Sequence, residues 1–300
     1  MAWKAPRREK LLIYGGFKTG KSFCYVGIMH FAQLTKTDSR FFIIDNDNAA
    51  EAIGLYPGGT YEELLGDVVK RAKGRVEFES AVIWTPRTFD EYGAIVDEIE
   101  SDAEPQDWVV LDMASNLWGT MPDWWISKVY GDDPWDYYAR TRKAVEDNEE
   151  GAKDRNFGGL PGGAWEYVGK AYRSLERRLT TYASCHLIAI ASETEIQERF
   201  DKSGELRKKY ASTSGFAPKV EKDLPHRVHT VMRMTKTLSG RDVERSLTLM
   251  GDRDREGRWA ELAPKTLSIP VTNVDTEEGE MPKFAFDYLV KVGGWKLAGG

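Results

Sequence analysis

Cysteine is nearly missing: Cys24 and Cys185 are the two in 300 residues, and neither belongs to a CxxC pair or to a cluster with metal-ligand spacing. That excludes a disulfide framework and a structural zinc site. Histidine is almost as scarce, four in the chain, and neither His30 nor His186 has the acid and nucleophile neighbours of a catalytic imidazole, so both read as structural. No apolar run approaches the ~20 residues of a membrane span. The opening MAWKAPRREK lacks the apolar core of a signal segment. These absences predict a reduced, soluble, cytoplasmic protein with no membrane partner. A basic excess is missing too: 48 acidic against 42 basic residues leave a net charge of −6. The whole surface is therefore no polyanion binder, although a local basic stripe is enough to hold phosphates.

What is present is globular: 41% hydrophobic and 30% charged residues, at a length that fits one large α/β domain or a domain with an appendage. Ten tryptophans must cluster either in a core or on a stacking surface. No internal repeat is found.

The chemistry begins at Lys10, where KLLIYGGFKTGKSFCYVGI runs to Ile28. Gly15-Gly16-Phe17-Lys18-Thr19-Gly20-Lys21-Ser22 fits G-x-x-x-x-G-K-[ST] at every fixed position, the Walker A pattern. Glycines let successive backbone N–H groups face phosphate oxygens, and the following helix, with Phe23 in its first turn, adds its positive end. Lys21 is placed to reach the β and γ phosphates and the Ser22 hydroxyl to ligate Mg²⁺. The context agrees, with a buried-strand run over 11–14 before the loop and a helix-length apolar segment, SFCYVGIMHFAQL, after it. The cofactors implied are ATP and Mg²⁺.

A carboxylate at the end of a neighbouring strand completes such a site. Asp107-Trp-Val-Val-Leu-Asp112 supplies one, with WVVL as a continuous apolar strand and Asp112 at its edge, a Walker B pattern and a second metal candidate. A further strand, RFFIIDND, ends in Asp45 and Asp47. These two acids either act in the site or form a turn that caps a following helix over 49–55.

The remaining pattern predicts helix 21–35, strand 41–45, helix 60–73, strand 81–85, helix 88–101, strand 108–112, an irregular region to about 163, helix 164–183 and strand 186–191. Strands alternating with helices predict a mostly parallel, doubly wound sheet with motifs at the strand C-terminal ends. A polar loop over 193–226 follows, expected to be mobile, and then a β-hairpin, VHTVMRMTKT and VERSLTLM around Ser239-Gly240, extends the sheet. The expected organisation is an ATPase domain over 1–262, with a Trp-rich insertion over 118–163, and a C-terminal acidic linker and appendage over 263–300. Gly158 to Gly163 would be the insertion's hinge.

In this order, P-loop strand and helix, acid-tipped second strand, Walker B strand, polar-ended fourth strand, mobile loop and hairpin resemble the RecA-like ATPase core. The segments LLIYGGFKTGKS, VVLDMASNLW, HLIAIASETEI and GFAPKVEKDLPHRVHTVMRM look like phage-encoded nucleotide-binding proteins of the RecA superfamily, a group that holds small phage recombinases and annealing-associated ATPases. The resemblance covers residues 10–250. It implies homo-oligomerisation into a ring or filament with ATP at the subunit interface, and work on single-stranded DNA in recombination or replication. If the chain is phage-encoded, its compartment is the host cytoplasm.

The resemblance also assigns roles. Asp47, with Asp45 as the alternative, would polarise the attacking water, where the family commonly has Glu. Ser192 would sense the γ-phosphate, with Glu193 and Thr194 as alternatives, where relatives often place His, Gln or Asn. Lys236 and Arg241, with Arg233 nearby, would deliver a cation to a neighbouring subunit. The loop cations Lys202, Arg207, Lys208 and Lys209, beside Tyr210, would contact DNA. Glu195, Glu198 and Glu205 in the same stretch make a solvated charge run the competing reading.

The aromatics from Trp118 to Trp165 lie among acidic residues, so a contact with a phage or host protein, or a small lid core, fits them better than base stacking. Arg173, Arg177 and Arg178 read as a solvent face or a subunit contact. A nucleotide-dependent assembly switch without DNA is thus the alternative function. A small-molecule kinase is a third, weakened by the lack of an Arg-rich lid.

Overall fold

The computed structural model describes residues 3–5, 7–47, 65–147, 149–150, 160, 163–196, 215–239, 242–252, 266–268, 273–276 and 279–297. The strands are β1 (Trp3–Lys4), β2 (Lys10–Gly15), β3 (Phe41–Asp45), β4 (Val68–Ala72), β5 (Arg75–Phe78), β6 (Ala81–Trp84), β7 (Trp108–Asp112) and β8 (His186–Glu195). They continue as β9 (Phe216–Pro218), β10 (Thr230–Ser239), β11 (Asp242–Asp252), β12 (Thr266–Ser268), β13 (Asn273–Thr276), β14 (Gly279–Pro282) and β15 (Lys296–Leu297). The helices are α1 (Ser22–Leu34), α2 (Phe89–Asp102), α3 (Ala114–Trp125), α4 (Pro134–Glu146), α5 (Ala164–Arg177), α6 (Leu224–Arg227) and α7 (Lys283–Ala285). Helices α3, α5 and α7 run on as π-helical turns over Ile126–Tyr130, Arg178–Tyr182 and Phe286–Val292.

The main sheet has the order β12-β11-β10-β2-β8-β7-β3-β6-β5-β4, with β9 on the end of β8. From β10 to β6 every pairing is parallel, and the flanking pairs are antiparallel. This is a mixed α/β sheet, mostly parallel, with the expected hairpin (β10 and β11) extending one side. Strand β8 lies between the P-loop strand β2 and the Walker B strand β7.

The central strands read as unbroken apolar runs because both faces are buried. Successive residues alternate between two cores. Leu11, Ile13, Ile43, Val110, Ile188 and Ile190 face α1, whereas Leu12, Ile44, Val109, Leu111, Leu187 and Ala189 face α2, α3 and α5. Local chemistry starts the helices. The Thr88 hydroxyl accepts from Glu91 N at 3.3 Å to open α2, and Asp133 accepts from Trp135 N and Asp136 N with Pro134 in the first turn of α4.

Four expectations are corrected. Of the helix expected over 60–73, residues 60–64 lie outside the described residues and Leu65 is helical, but Gly66 at φ 76° ends the helical path and the chain continues as β4, which pairs with β5 around Gly74. The region expected to be irregular carries α3 and α4; Gly119 and Pro122 masked α3 in the sequence, yet both lie inside it. Within 193–226, β9 and α6 are ordered pieces, and residues 197–214 lie outside the described residues. The C-terminal segment is no mere appendage in its packing. Phe284, Tyr288, Leu289, Val292 and Trp295 are buried in the α1-side core. Tyr288 and Trp295 also donate to the buried Glu9 carboxylate at 3.0 and 3.4 Å.

The Trp-rich stretch packs on the opposite core. Trp118 lies edge-on to Tyr172 at 5.0 Å, Trp125 stacks on Tyr167 at 5.8 Å and Trp124 meets Phe89 at 5.0 Å. The helix arginines are engaged within the chain: Arg178 pairs with Asp97 and Glu100, and Arg173 with Glu221. The helix expected over 49–55 lies outside the described residues, as does the hinge expected over 158–163 except at Leu160 and Gly163. No helix among the described residues is long and apolar enough to cross a membrane.

Candidate nucleotide site

The strand β2 delivers its backbone into the loop at Gly15, and two glycines are needed for steric reasons. A Cβ at Gly15 would stand 2.3 Å from Met234 O on β10, so the neighbouring strand tolerates only hydrogen there. Gly20 adopts φ 93°, a region closed to ordinary side chains. Helix α1 then starts without a side-chain cap among the described residues; Phe23 N and Cys24 N turn back onto Gly20 O and Lys21 O at 3.0 Å each, and the positive end of the helix faces the loop. A cleft of about 400 Å³ opens here, lined by the loop from Gly15 to Phe23 and by Asp47, Met113, Ser192 and Glu193.

Lys21 is buried and its Nζ donates to Gly15 O at 3.2 Å and Gly16 O at 2.9 Å, which holds the amine at the loop mouth. Burial lowers its pKa, opposed by the charges of Asp112, Asp47 and Glu193. Thr19 closes the turn through its hydroxyl to Gly16 O at 3.1 Å. Phe17 is exposed at the loop tip with the Lys18 amine over its ring.

The acids converge as the strand order requires. Ser22 Oγ donates to Asp112 Oδ2 at 2.8 Å. The carboxylates of Asp45, Asp47 and Asp112 bring one oxygen each within 4.8 Å of one another. Asp45 and Asp112 are buried, whereas Asp47 is exposed and lines the cleft. Burial pushes the Asp112 carboxyl up to about 7; the Ser22 hydrogen bond and, more weakly, the Tyr25 hydroxyl oppose this, and the charges of Asp47 and Asp45 add to it. Its Oδ1 is buried and receives no hydrogen bond of ordinary geometry among the described residues. An orphaned carboxylate oxygen beside two more acids and a hydroxyl is an all-oxygen donor set that fits Mg²⁺. The turn of Asp45 to Asp47 is tied to β7 by Asn46, which donates to Asp112 O and Met113 O and accepts from the Tyr92 hydroxyl.

At the end of β8, Ser192 is in register with Gly15 and lines the cleft. Its N and Oγ both donate to Ser115 Oγ, at 2.9 and 3.0 Å. Glu193 also faces the loop, with Oε1 3.2 Å from where a Cβ of Gly16 would be. A carboxylate so close to the loop would repel an anion there unless a cation intervenes. Arg233 of β10 is that cation: its Nε donates to Glu193 Oε2 at 2.8 Å, and its guanidinium lies 4.1 Å over the Phe216 ring. Of the basic hairpin candidates, Arg233 is therefore engaged within its own chain, Lys236 is exposed, and Arg241 lies outside the described residues. Lys202, Arg207, Lys208, Lys209 and Tyr210 lie outside them as well.

Three site residues escaped the sequence reading. Ser115, Tyr92 and Arg245 reach the site only through tertiary placement. Arg245 of β11 lies against the P-loop: its Nε would be 2.9 Å from a Cβ on Gly20, and that nitrogen is buried with no hydrogen-bond partner among the described residues. Its signal in sequence was limited to its place on the second hairpin strand.

No protein-family model matches the chain, and no curated protein matches it. Among solved structures it is similar to a KaiC-like protein from the hyperthermophilic archaeon Pyrococcus horikoshii OT3, at 9% identity over 92% of this chain and 90% of that one, with a TM-score of 0.45. It is also similar to the RadB recombinase, at 12% identity over 90% and 89% of the two chains, with a TM-score of 0.40.

Proposed function

We propose that this chain is a Mg²⁺-dependent ATPase that acts as a ring or filament of identical subunits and couples hydrolysis to the binding or remodelling of single-stranded DNA, in phage recombination or replication. The observation that carries the ATPase reading is the meeting of Ser22 and Asp112 at 2.8 Å beneath a glycine loop that holds Lys21 at its mouth. These are the residue types that phosphoryl transfer needs, in a cleft with room for a triphosphate.

Lys21 exchanges its two carbonyl contacts for phosphate oxygens and offsets charge that develops on the transferring group. Ser22, Asp112 and, through the shared acid cluster, Asp45 and Asp47 would hold Mg²⁺. When bound, that ion would supply a Lewis acid for the phosphate oxygens. Asp47, on the cleft wall, orients the attacking water, with Asp45 behind it as the alternative. Ser192 reads the terminal phosphate through a hydroxyl already fixed by Ser115. Lys236, exposed on the hairpin, or Arg241 beyond it, serves a neighbouring subunit. The DNA role rests on the basic loop residues Lys202, Arg207, Lys208 and Lys209 with Tyr210 in the sequence.

A second reading, a nucleotide-dependent switch that binds a protein partner, is favoured by the exposed aromatics of the Trp-rich stretch. Trp135 is 80% exposed, and Val129, Tyr130 and Tyr167 are exposed with it. Turnover measured with and without oligonucleotides at low and high salt separates the two. Salt-sensitive stimulation by single strands supports the DNA reading, and its absence in a protein that binds ATP supports the switch.

A further inference from the structure

A second cavity, of about 340 Å³, lies at the opposite end of the sheet, where β2, β7 and β8 begin. The six residues of β2, at roughly 3.3 Å each, separate it from the nucleotide cleft. Arg7, Arg8, Ser184, His186 and Trp295 are among its walls, and no Asp or Glu lines it.

Arg8 is the informative residue. Its Nη2 donates to Leu179 O at 2.6 Å, and among the described residues its buried Nε has no hydrogen-bond partner and the side chain has no carboxylate partner. Burial accordingly lowers its pKa. Arg7 adds a second guanidinium, with Nη2 3.8 Å from Asp252 Oδ1. His186 is held between Trp108 and Trp295, at 4.4 and 5.4 Å between ring centres. Its Nδ1 accepts from Glu9 N at 2.8 Å, so the ring proton sits on Nε2 as a donor. Burial pushes this imidazole down to about 3, which keeps it neutral. Arg8 thus stands half-buried on the cavity wall without a carboxylate partner among the described residues, whereas Arg7 is paired with Asp252, and a partly desolvated cation favours a counter-ion. A planar guanidinium, with several N–H donors on one delocalised charge, is a group that pairs well with an oxyanion.

We propose that this cavity binds a phosphate-class oxyanion, either inorganic phosphate or a small phosphate monoester, with Arg8 as its counter-cation. The site is separate from the P-loop and does not depend on the ATPase reading. Ligand binding to the folded state raises its melting temperature, by about 2–4 °C at roughly ten times the dissociation constant for a chain of this size.

The test is thermal unfolding of the full chain titrated with inorganic phosphate, and separately with glycerol phosphate, at constant ionic strength. Wild type, Arg8→Met and Lys21→Ala are compared. A saturable rise is expected in wild type and in Lys21→Ala, with its loss in Arg8→Met, each compared with the same protein without ligand. A rise with phosphate alone assigns the free ion, and a rise with both assigns the monoester class as well. A rise lost in Lys21→Ala and kept in Arg8→Met would put the binding at the P-loop and overturn the proposal. So would an equal, unsaturable rise in all three proteins, or no rise at all.

Discussion

Ser22 Oγ and Asp112 Oδ2 are 2.8 Å apart, a hydrogen bond that joins the first turn of α1 to the end of β7 across ninety residues of sequence. If Mg²⁺ binds between these two groups, as proposed, each is needed for turnover. Ser22→Ala and Asp112→Asn should each lower Mg²⁺-dependent ATP hydrolysis by at least about 100-fold, equivalent to ~2.7 kcal/mol. Nucleotide binding without metal, followed with a fluorescent ATP analogue, should change by less than about threefold.

The same carboxyl sets a pH dependence. Its folded-state value of about 7 lies above the ordinary 3.8, so the folded protein holds a proton there that the unfolded chain has released. The stabilisation is complete below about 3.8 and is lost as pH rises through about 7. Asp112→Asn should therefore gain stability over wild type as pH rises, on the order of 2–4 kcal/mol at pH 8 in the absence of metal, as read from urea unfolding. Conversely, the Mg²⁺ concentration for half-maximal turnover in wild type should fall between pH 6 and 8, because the metal competes with that proton.

Arg245 predicts a contribution to nucleotide affinity from within the same chain. Its buried Nε beside Gly20, with no hydrogen-bond partner among the described residues, is a charged donor, and hydrogen bonds to charged groups are worth about 1.5–3 kcal/mol. Arg245→Ala should weaken ATP binding roughly tenfold or more, measured by calorimetry. Arg245→Lys should recover only part of it, since the ammonium cannot present the guanidinium edge.

Glu193 and Arg233 should behave as a coupled pair. Arg233→Ala leaves the Glu193 carboxylate facing the loop without its cation and should weaken triphosphate binding. Glu193→Gln should leave binding equal or tighter. In the double variant the penalty of Arg233→Ala should largely vanish, a non-additivity that a double-mutant cycle on the dissociation constant would read directly.

The C-terminal segment predicts a stability outcome. Phe284, Tyr288, Leu289 and Trp295 are each buried against the α1-side core, and each such side chain contributes roughly 1.5–3 kcal/mol. Their sum rivals the 5–15 kcal/mol that holds a typical domain together. Truncation before Lys283 should abolish cooperative unfolding at 25 °C, seen by circular dichroism, whereas loss of a true appendage would leave it intact.

The parts of this molecule that sequence made legible are those whose chemistry is local. Leu11 to Tyr14 and Trp108 to Leu111 announce central strands because burial on both faces removes every polar residue, and the glycine loop carries its own spacing. What stayed hidden depends on register or on distant packing. Arg233 meets Glu193 because β10 lies beside β2 and β2 beside β8, a pairing that no short window contains. The acidic run before Met281 made the C-terminal residues look like a linker and tail, although their apolar side chains close the core over α1. Gly119 and Pro122 argued against a helix that tertiary contacts of Leu117 and Met121 sustain.

The most direct test of the central claim is the rate of ATP hydrolysis by the purified full chain with Mg²⁺, measured beside Lys21→Ala. Turnover is expected in wild type and its loss in the variant, with the variant's fold unchanged by circular dichroism. A folded wild-type protein that neither binds nor hydrolyses ATP, or a Lys21→Ala protein that turns over as fast as wild type, would contradict the ATPase reading.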